Sequence, residues 1–334
     1  MSLFPEADAR PRLPVSLITG FLGSGKTTLI NRLLRHPAMA NTAIVVNEFG
    51  EVALDQLFIE RSDGEVVVMA NGCLCCTVQG DLEGVVGSLY GRRGGDLPAF
   101  DRLVIETTGL ADPAPIMQLL LSKPIIAENF ALDSVVTTVD AIHGLRHLRE
   151  HDEAVKQAAL ADRLVVTKTD LASDADAVTQ RLADMKPGAI IFHLPRDEVG
   201  PAQLFGAARR DPAEWLGRLP DTHAHLHDID SFALVAEQPL AWRALSQFLT
   251  RVKIKHGERL LRVKGIVSIA GEDAKIALHG VHHIFHPPTR LPRRADDDAT
   301  SRIVFITRGD VRDAIESEWQ ALALPRQAAR ANLE

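Results

Sequence analysis

One glycine-rich segment constrains the fold of this chain more than any other feature of its 334 residues. The segment LITGFLGSGKTTLI fits the pattern G-x-x-x-x-G-K-[ST], with Gly20, Gly25, Lys26 and Thr27 at the fixed positions. A β-rich apolar run precedes it and a helix-like run follows it, which is the context that a phosphate-binding loop requires. The alternative is a glycine-rich turn with a chance lysine, and the flanking strand and helix disfavour it.

The residue types in this loop predict a nucleoside triphosphate and Mg²⁺ as its ligands. Glycines allow the backbone to wrap closely, so that successive N–H groups can face phosphate oxygens. Lys26 is expected to reach the β- and γ-phosphates, and the Thr27 hydroxyl is expected to hold Mg²⁺. Lys26 is therefore a candidate catalytic residue.

The chain up to about residue 205 alternates between short apolar runs and longer amphipathic segments. The apolar runs cover residues 15–19, 43–47, 66–70, 103–107, 135–140, 164–168 and 189–194. Several are apolar on both faces, which is typical of parallel strands covered by helices. This alternation predicts a doubly wound α/β domain with a mostly parallel sheet.

A change of pattern predicts a second, smaller α+β domain. Residues 208–231 are rich in Pro, Asp and His and are interpreted as a linker. The first domain then covers residues 14–207 and the second 232–325, with a flexible tail at 1–13 and another at 326–334. Strands are expected at 232–237, 260–269, 275–286 and 302–307, with helices at 239–255 and 310–322. Antiparallel pairing is expected in this domain.

The composition argues against several kinds of partner. A formal net charge of −7 disfavours nucleic acid, because phosphate backbones require a basic surface. No apolar run is long enough to span a bilayer, so no membrane association is expected. The polar N-terminal segment does not resemble a secretory signal. We therefore expect a cytoplasmic protein whose thiols remain reduced.

Two further strand ends carry residues suited to nucleotide binding. In LVIETTGLADP, Glu106 can orient Mg²⁺ or its water and is a candidate catalytic residue, with a capping carboxylate as the alternative. Gly109 can donate its N–H to a γ-phosphate. Since the acid is Glu and not Asp, contact through water is favoured over direct ligation. In LVVTKTDLA, the Asp170 carboxylate can accept from the N1–H and N2–H₂ of guanine, and the Lys168 stem can lie along the purine. This favours guanine over adenine, although K-x-D alone is a frequent pattern.

All three cysteines of the chain lie within four positions, in the segment NGCLCCTV. Cys73, Cys75 and Cys76 suggest a transition-metal site, because thiolates bind Zn²⁺ tightly. Adjacent cysteines form a disulfide only with strain. A closed zinc site needs four protein ligands, so a site with two or three sulfurs suits metal transfer. A redox sensor or buried small apolar side chains are the alternatives. We expect the cluster to follow a strand and to precede a helix-like segment from Val78.

Acidic and histidine residues elsewhere could complete such a site. The segment IVVNEFGEVALD places Glu48 where a P-loop switch protein faces the γ-phosphate, so Glu48 could link metal and nucleotide and is a candidate catalytic residue. Solvated loop acids are the alternative for its acidic neighbours. Histidines alternate at His223, His225 and His227 and could gather metal loosely, or belong to a polar linker by chance. Four more histidines at residues 279–286 are expected to be structural or on the surface.

These motifs together resemble the CobW-type metal-chaperone GTPases. GFLGSGKTT, NEFGE, C-x-C-C, ETTG and TKTD occur in that order, and the segment from Phe232 resembles the CobW C-terminal domain. The resemblance implies a GTPase that binds Zn²⁺ or Co²⁺ and delivers it to client metalloproteins. It assigns phosphate binding to Gly23, Ser24, Gly25, Lys26, Thr27 and Thr28, guanine to Lys168 and Asp170, and the transition metal to Cys73, Cys75, Cys76 and Glu48.

Three positions depart from common patterns in related GTPases. Thr167 stands where many GTPases have Asn, and Val46 stands where some members of the family carry another acid. Leu110 occupies the place of the glutamine that orients the attacking water in Ras-like proteins. We therefore predict slow intrinsic hydrolysis, with metal or client controlling the rate.

Other functional classes stay open at this stage. The chain could be a P-loop ATPase or small-molecule kinase, a zinc buffer or sensor, or an assembly factor for a single metalloenzyme. Client docking on the second domain and a monomer or weak homo-oligomer are the expected interactions.

Overall fold

The computed structural model describes residues 4, 12–47, 58–62, 66–69, 74–77, 81–186, 188–206, 224–226, 229–291, 293 and 298–323. The chain divides into two compact units. Arg10–Pro220 forms one, and Met1–Ala9 together with Asp221–Glu334 forms the other. No helix in these described ranges is long and apolar enough to cross a membrane.

The larger unit is a mostly parallel sheet with helices between its strands. Its strands are β1 Leu13–Gly20, β2 Thr42–Asn47, β3 Phe58–Ser62, β4 Val66–Met69, β5 Leu74–Thr77, β6 Arg102–Thr107, β7 Phe130–Asp140, β8 Arg163–Thr167 and β9 Ile190–His193. Its helices are α1 Lys26–Leu34, α2 Leu82–Arg92, α3 Ala114–Ser122, α4 Pro124–Asn129, α5 Gly144–Glu150, α6 Asp152–Leu160, α7 Ala175–Met185 and α8 Pro201–Leu204, with a 3₁₀ turn at Pro37–Met39.

The strand order is β3-β4-β5-β2-β6-β1-β7-β8-β9, and the six pairings from β5 to β9 are parallel. Val15, Leu17 and Ile18 of β1 are fully buried, because β1 lies in the middle of the sheet and helices cover it. The predicted doubly wound α/β class is therefore confirmed. It brings the carboxyl ends of β1, β6, β7 and β8 to one edge.

The segment around the cysteines differs from the prediction. The run at residues 66–70 was expected to be a parallel strand, but β4 pairs antiparallel with both β3 and β5. Leu74–Thr77 is itself a strand, and the following helix begins at Leu82 and not at Val78. Asp81 caps that helix by accepting from the N–H of Gly84 at 2.9 Å, which sets where the helix begins.

The smaller unit is an antiparallel sheet covered by two helices. Its elements are β10 Ala224–Leu226, β11 Ile229–Ala236, α9 Trp242–His256, β12 Leu260–Val267, β13 Ile276–Val281, β14 Ile284–Phe285, β15 Thr289–Arg290, β16 Ser301–Arg308 and α10 Arg312–Ala323. The strand order is β10-β11-β16-β12-β13-β14, with β15 also on β13. Phe248 from α9 packs against Phe305 and Trp319 in its core.

Three expectations for this unit need correction. The stretch 275–286 is a hairpin and not one strand, because the chain turns at His282, whose φ is +51°. The predicted linker 208–231 includes β10 and the start of β11, where His225 pairs with Asp230. Phe4 lies in the predicted N-terminal tail, yet it is buried in the core of this unit against Trp242, with ring centroids 4.8 Å apart.

Candidate functional site

The glycine-rich loop connects β1 to α1 and requires unusual backbone angles. Gly20, Gly23 and Gly25 have φ values of +144°, +70° and +89°. A Cβ on Gly20 would lie 2.3 Å from Thr138 Oγ1 and 2.6 Å from Ser24 Oγ, so no larger residue fits there. The glycines of the motif are thus explained by conformation and close packing.

Lys26 begins α1, and its side chain turns back over the loop. Its Nζ donates to the carbonyl oxygens of Gly20 at 3.0 Å and Phe21 at 3.4 Å, and the residue is only 5% exposed. A buried ammonium enclosed by backbone carbonyls is a strong attractor for phosphate oxygens. Thr28, by contrast, is exposed on the first turn of the helix.

Hydrogen bonds tie the loop to the neighbouring strands. The buried Ser24 hydroxyl lies 2.7 Å from Thr138 Oγ1 of β7, and the Thr167 hydroxyl of β8 donates to the carbonyl of Ser24 at 2.8 Å. The position where many GTPases have Asn is therefore occupied by a hydroxyl that holds the phosphate loop. The loop is thus held in place by hydrogen bonds within the protein itself.

Thr27 and Glu106 meet at the end of β6. Thr27 Oγ1 donates to Glu106 Oε1 at 3.0 Å, and Glu106 is fully buried. A hydroxyl and a carboxylate beside Lys26 are the oxygen donors that Mg²⁺ prefers, so these residues fit the ion. The structure thus brings together the two residues predicted as Mg²⁺ partners from segments 79 positions apart.

Gly109 lies directly against the phosphate-binding loop. A Cβ at this position would lie 2.8 Å from both the Leu22 N and Cα atoms and 2.6 Å from Leu22 Cδ2. Only glycine permits this approach. The side chains of Leu22 and the neighbouring Leu110 are 50% and 56% exposed, so both are open to an incoming ligand or protein.

The predicted base-binding residues follow β8. Lys168 adopts a left-handed conformation with φ of +57°, and its Nζ donates to Asp140 Oδ2 at 2.7 Å. The Asp140 carboxylate also accepts from the N–H of Ile142 at 2.7 Å. Burial raises the pKa of Asp140, but the Lys168 ammonium and the backbone N–H groups of Ile142 and His143 lower it by more, so its net pKa lies below the ordinary value. Asp170 is exposed at the same end of β8.

Histidines of α5 and its flanks pack on the phosphate-binding loop. The Phe21 ring stacks on His151 with centroids 4.5 Å apart and contacts His147 at 4.6 Å. Burial, together with the charge of Arg146, lowers the pKa of His147 below its usual value. This contact could not be predicted from the sequence, because the spacing of histidines by four indicates one helix face but not the residue that packs on it.

The cysteine strand lies two strands away from Glu106. Within β5, Cys75 pairs with Ile44 and Cys76 with Val45 of β2. β2 pairs in turn with β6, where Val45 is opposite Ile105. Since adjacent strands are about 4.8 Å apart, the backbone of β5 lies about 10 Å from that of β6.

The remaining predicted metal ligands lie outside the described residues. Cys73, Glu48, His223 and His227 belong to this group, and the structure describes no side chains for Cys75, Cys76 and His225. Among the residues that it does describe, no group of three or more His, Cys, Asp or Glu side chains could hold a metal ion.

Two polar residues at the site were not among the predicted site residues. Asp140 ends the apolar β7 run, so its place at the carboxyl edge of a parallel sheet was a usable signal. Gln157 is fully buried in α6 and donates to the carbonyls of Gly109 and Ala111. Nothing in the local pattern distinguishes Gln157 from an ordinary helical glutamine, because its partners are more than 40 positions away.

The parallel sheet, the glycine-rich loop and the buried lysine define a P-loop nucleotide-binding protein. The CobW/HypB/UreG nucleotide-binding domain matches residues 14–193, and the cobalamin synthesis protein cobW C-terminal domain matches residues 229–323. The chain therefore belongs to the CobW family, which confirms the resemblance.

Curated relatives cover most of the chain. The zinc chaperone YjiA of Escherichia coli (strain K12) is 31% identical over 298 residues, which is 88% of this chain and 93% of that protein. The zinc-regulated GTPase metalloprotein activator 1 of Schizosaccharomyces pombe is 34% identical over 343 residues, which is 89% of this chain and 82% of that protein. The crystal structure of Zn(II)-bound YjiA GTPase from E. coli matches with a TM-score of 0.75 and 29% identity, covering 94% of this chain and 99% of that one.

Proposed function

We propose that this chain is a GTPase that carries a transition metal, zinc or cobalt, at its C-x-C-C segment and releases it to client metalloproteins under control of the nucleotide. Membership of the CobW family and relatives named as zinc chaperone and zinc-regulated GTPase support the general role. The observation that carries the coupling is the strand order β5-β2-β6, in which one strand separates the cysteine segment from Glu106.

The nucleotide roles follow from the contacts around the loop. Lys26 exchanges its carbonyl partners for the β- and γ-phosphates, and the loop N–H groups bind the same oxygens. Thr27 and Glu106 would hold Mg²⁺, directly or through water, and the ion would neutralise charge on those phosphates. Gly109, packed against Leu22, donates its N–H to the γ-phosphate.

The base site follows from the residues at the end of β8. Asp170 accepts from guanine, whose N1–H and N2–H₂ form a donor pair that adenine lacks. The aliphatic stem of Lys168 lies along the purine while its ammonium stays with Asp140. Preference for ATP over GTP in a competition assay would overturn this assignment and favour a P-loop ATPase or kinase.

Coupling to the metal runs through the segment after β2. Glu48 directly follows β2, the strand between the cysteines and Glu106. With GTP and Mg²⁺ bound, Glu48 would be drawn toward the cysteines and would add a carboxylate ligand, so the transition metal would be held more tightly than without nucleotide. Loss of the γ-phosphate removes that restraint and weakens the hold on the metal. Because Leu110 cannot orient a water molecule, intrinsic hydrolysis is slow.

The decisive experiment is a zinc titration against a competing chelator, with and without a non-hydrolysable GTP analogue and Mg²⁺. Linkage requires that the analogue tighten zinc by the same factor as zinc tightens the analogue, and we expect about tenfold or more. The wild type is compared with Cys75→Ala, which weakens zinc in both conditions. Lys26→Ala is the matched control. It should leave zinc affinity without the analogue unchanged and abolish the increase in zinc affinity that the analogue causes.

Equal zinc affinities with and without the analogue in the wild type would reject the coupling and favour a zinc buffer or sensor. Unchanged zinc affinity in Cys75→Ala would remove this cysteine from the metal site. A cytoplasmic location, client docking on the C-terminal unit and a monomeric or weakly oligomeric state stay predictions. A client pull-down separates a general metal supplier from a dedicated assembly factor.

A further inference from the structure

Two consecutive side chains of helix α6, Lys156 and Gln157, bind the loop that contains Gly109. The Gln157 amide, which is fully buried, donates to the carbonyl of Gly109 at 3.2 Å and to that of Ala111 at 2.9 Å. Lys156 donates to Asp112 Oδ2 at 3.0 Å, with both side chains 27% exposed. Three residues of this loop, Gly109, Ala111 and Asp112, are thus held from one turn of α6.

The same helix is anchored to the centre of the sheet. The Thr137 hydroxyl of β7 donates to the backbone carbonyl of Gln157 at 2.7 Å. Thr138, the next residue of β7, holds Ser24 of the phosphate-binding loop. The hydrogen bonds from α6 to the Gly109 loop are therefore anchored to β7, the same strand that holds the phosphate-binding loop.

Both peptide groups of Gly109 are fixed by this arrangement. The peptide before it is held through the carbonyl of Thr108, which accepts from the N–H of Ala111 at 3.1 Å. The peptide after it is held through its own carbonyl by Gln157. Since a peptide group is planar, the bond from the Ala111 N–H to the Thr108 carbonyl fixes the direction of the Gly109 N–H. Gln157 holds that arrangement in place, because it binds the carbonyl of Ala111 and the peptide group that follows Gly109.

Gln157 also retains an unfavourable feature. Its Oε1 is buried and has no hydrogen-bond partner among the described atoms. A buried amide oxygen without a partner destabilises the fold, and an apolar side chain of similar size would avoid that penalty. The presence of glutamine here is explained by the two donors of its NH₂ group and not by packing.

We propose that Gln157 is a positioning residue, which sets the Gly109 N–H for the γ-phosphate and so lets the protein distinguish GTP from GDP. Lys156 supports it by holding Asp112. This inference rests on the proposed function, because it assumes that Gly109 contacts the γ-phosphate. GDP lacks that phosphate, so its affinity should not depend on the contacts that Gln157 and Lys156 make with this loop.

The test is Gln157→Met in the full chain, which keeps the side-chain length and removes both donors. We expect the affinity for a non-hydrolysable GTP analogue to fall about tenfold, consistent with the loss of two neutral hydrogen bonds, and GDP affinity to change by less than about twofold. The melting temperature should fall by no more than about a few degrees, because removal of the unpartnered oxygen partly offsets the two carbonyls left without a donor. Lys156→Met should shift the same ratio in the same direction by about threefold.

Gln180→Met is the matched control, because Gln180 is an exposed glutamine on α7 that donates to Asp184 at 2.7 Å. Equal losses of GTP and GDP affinity in Gln157→Met would show a merely structural role and overturn the inference. Unchanged GTP-over-GDP preference in Gln157→Met would also overturn it, provided that Gly109→Ala loses that preference. If Gly109→Ala keeps the preference, the proposed role of Gly109 itself fails, and the inference fails with it.

Discussion

The phosphate side and the cysteine side of the same sheet are built on different principles. On the phosphate side, β6, β1, β7 and β8 are parallel, and side chains bond across them, as Thr107 does to Thr19 at 2.8 Å. On the cysteine side, β3 and β4 form an antiparallel extension before β5 resumes the parallel direction. The first side is held together by these side-chain hydrogen bonds, whereas the described strands of the second pair with it through β2.

The largest expected effect tests whether these two sides are separable. Lys26→Ala should lower GTP turnover by about 100- to 1000-fold, since it removes a buried charge that stabilises the transition state. Zinc affinity without nucleotide should stay within about twofold, because the Lys26 ammonium donates to carbonyls of the phosphate-binding loop and the cysteines lie on a different part of the sheet.

Cys76→Ala provides the reverse comparison, with weakened zinc binding and metal-free GTP affinity within about twofold of wild type. Isothermal titration of each ligand on each variant measures all four values. If Cys76→Ala lowered metal-free GTP affinity as much as zinc affinity, the two sides would not be separable.

A second comparison tests how tightly the phosphate side is built, using two glycines of the same loop. Gly20→Ala places a Cβ against Thr138 and Ser24 at a φ of +144°, and should cost at least about 3 kcal/mol of unfolding free energy. Gly23→Ala meets no atom within 4 Å and should cost only about 1 kcal/mol for its left-handed backbone. Urea unfolding with GDP absent measures both, and equal costs would contradict a tightly packed loop.

The difference between the two sides also explains what the sequence could predict. Thr27, Glu106 and Lys168 follow recognisable apolar runs, and parallel strands collect such residues at one edge, so this part of the site was predictable. The run at Val66 looks the same, yet β4 is antiparallel. A short apolar run specifies a strand and not its direction, because direction depends on which neighbours it pairs with.

Contacts between residues far apart in the sequence could not be predicted either. Gln157 and Gly109 are 48 positions apart, and Thr138 and Ser24 are 114 apart, so no local period joins them. Phe4 lies in a polar, proline-containing segment and still packs in the core of the C-terminal unit. Such contacts are set by tertiary packing, which overrides local composition.

A smaller effect is expected at the base end of the phosphate side. Asp140→Asn keeps the shape but removes the charge that holds Lys168, and should weaken GTP about tenfold through the loss of a buried, charge-assisted hydrogen bond. Zinc affinity without nucleotide should be unaffected. Asp184→Asn on α7 is the control, and GTP affinity of Asp140→Asn equal to that of this control would show that Asp140 does not position Lys168. Fluorescent nucleotide titration distinguishes the two outcomes.

The smallest expected effect is a pH dependence confined to the phosphate side. Burial, the Arg146 charge and the neighbouring His143 and His151 lower the pKa of His147, and the Asp140 charge opposes them. The unfolded chain therefore takes up a proton near pH 6.5 that the folded chain still refuses, so the unfolding free energy falls as pH drops through about 6.5. Urea unfolding gives the unfolding free energy of the wild type and of His147→Gln at each pH. The two proteins should show the same change with pH above pH 7. Below about pH 6.5 the unfolding free energy of the wild type should fall more steeply than that of the variant. Parallel curves down to pH 5 would mean that His147 titrates alike in both states, and the packing on Phe21 would then impose no proton-linked cost on this side of the sheet.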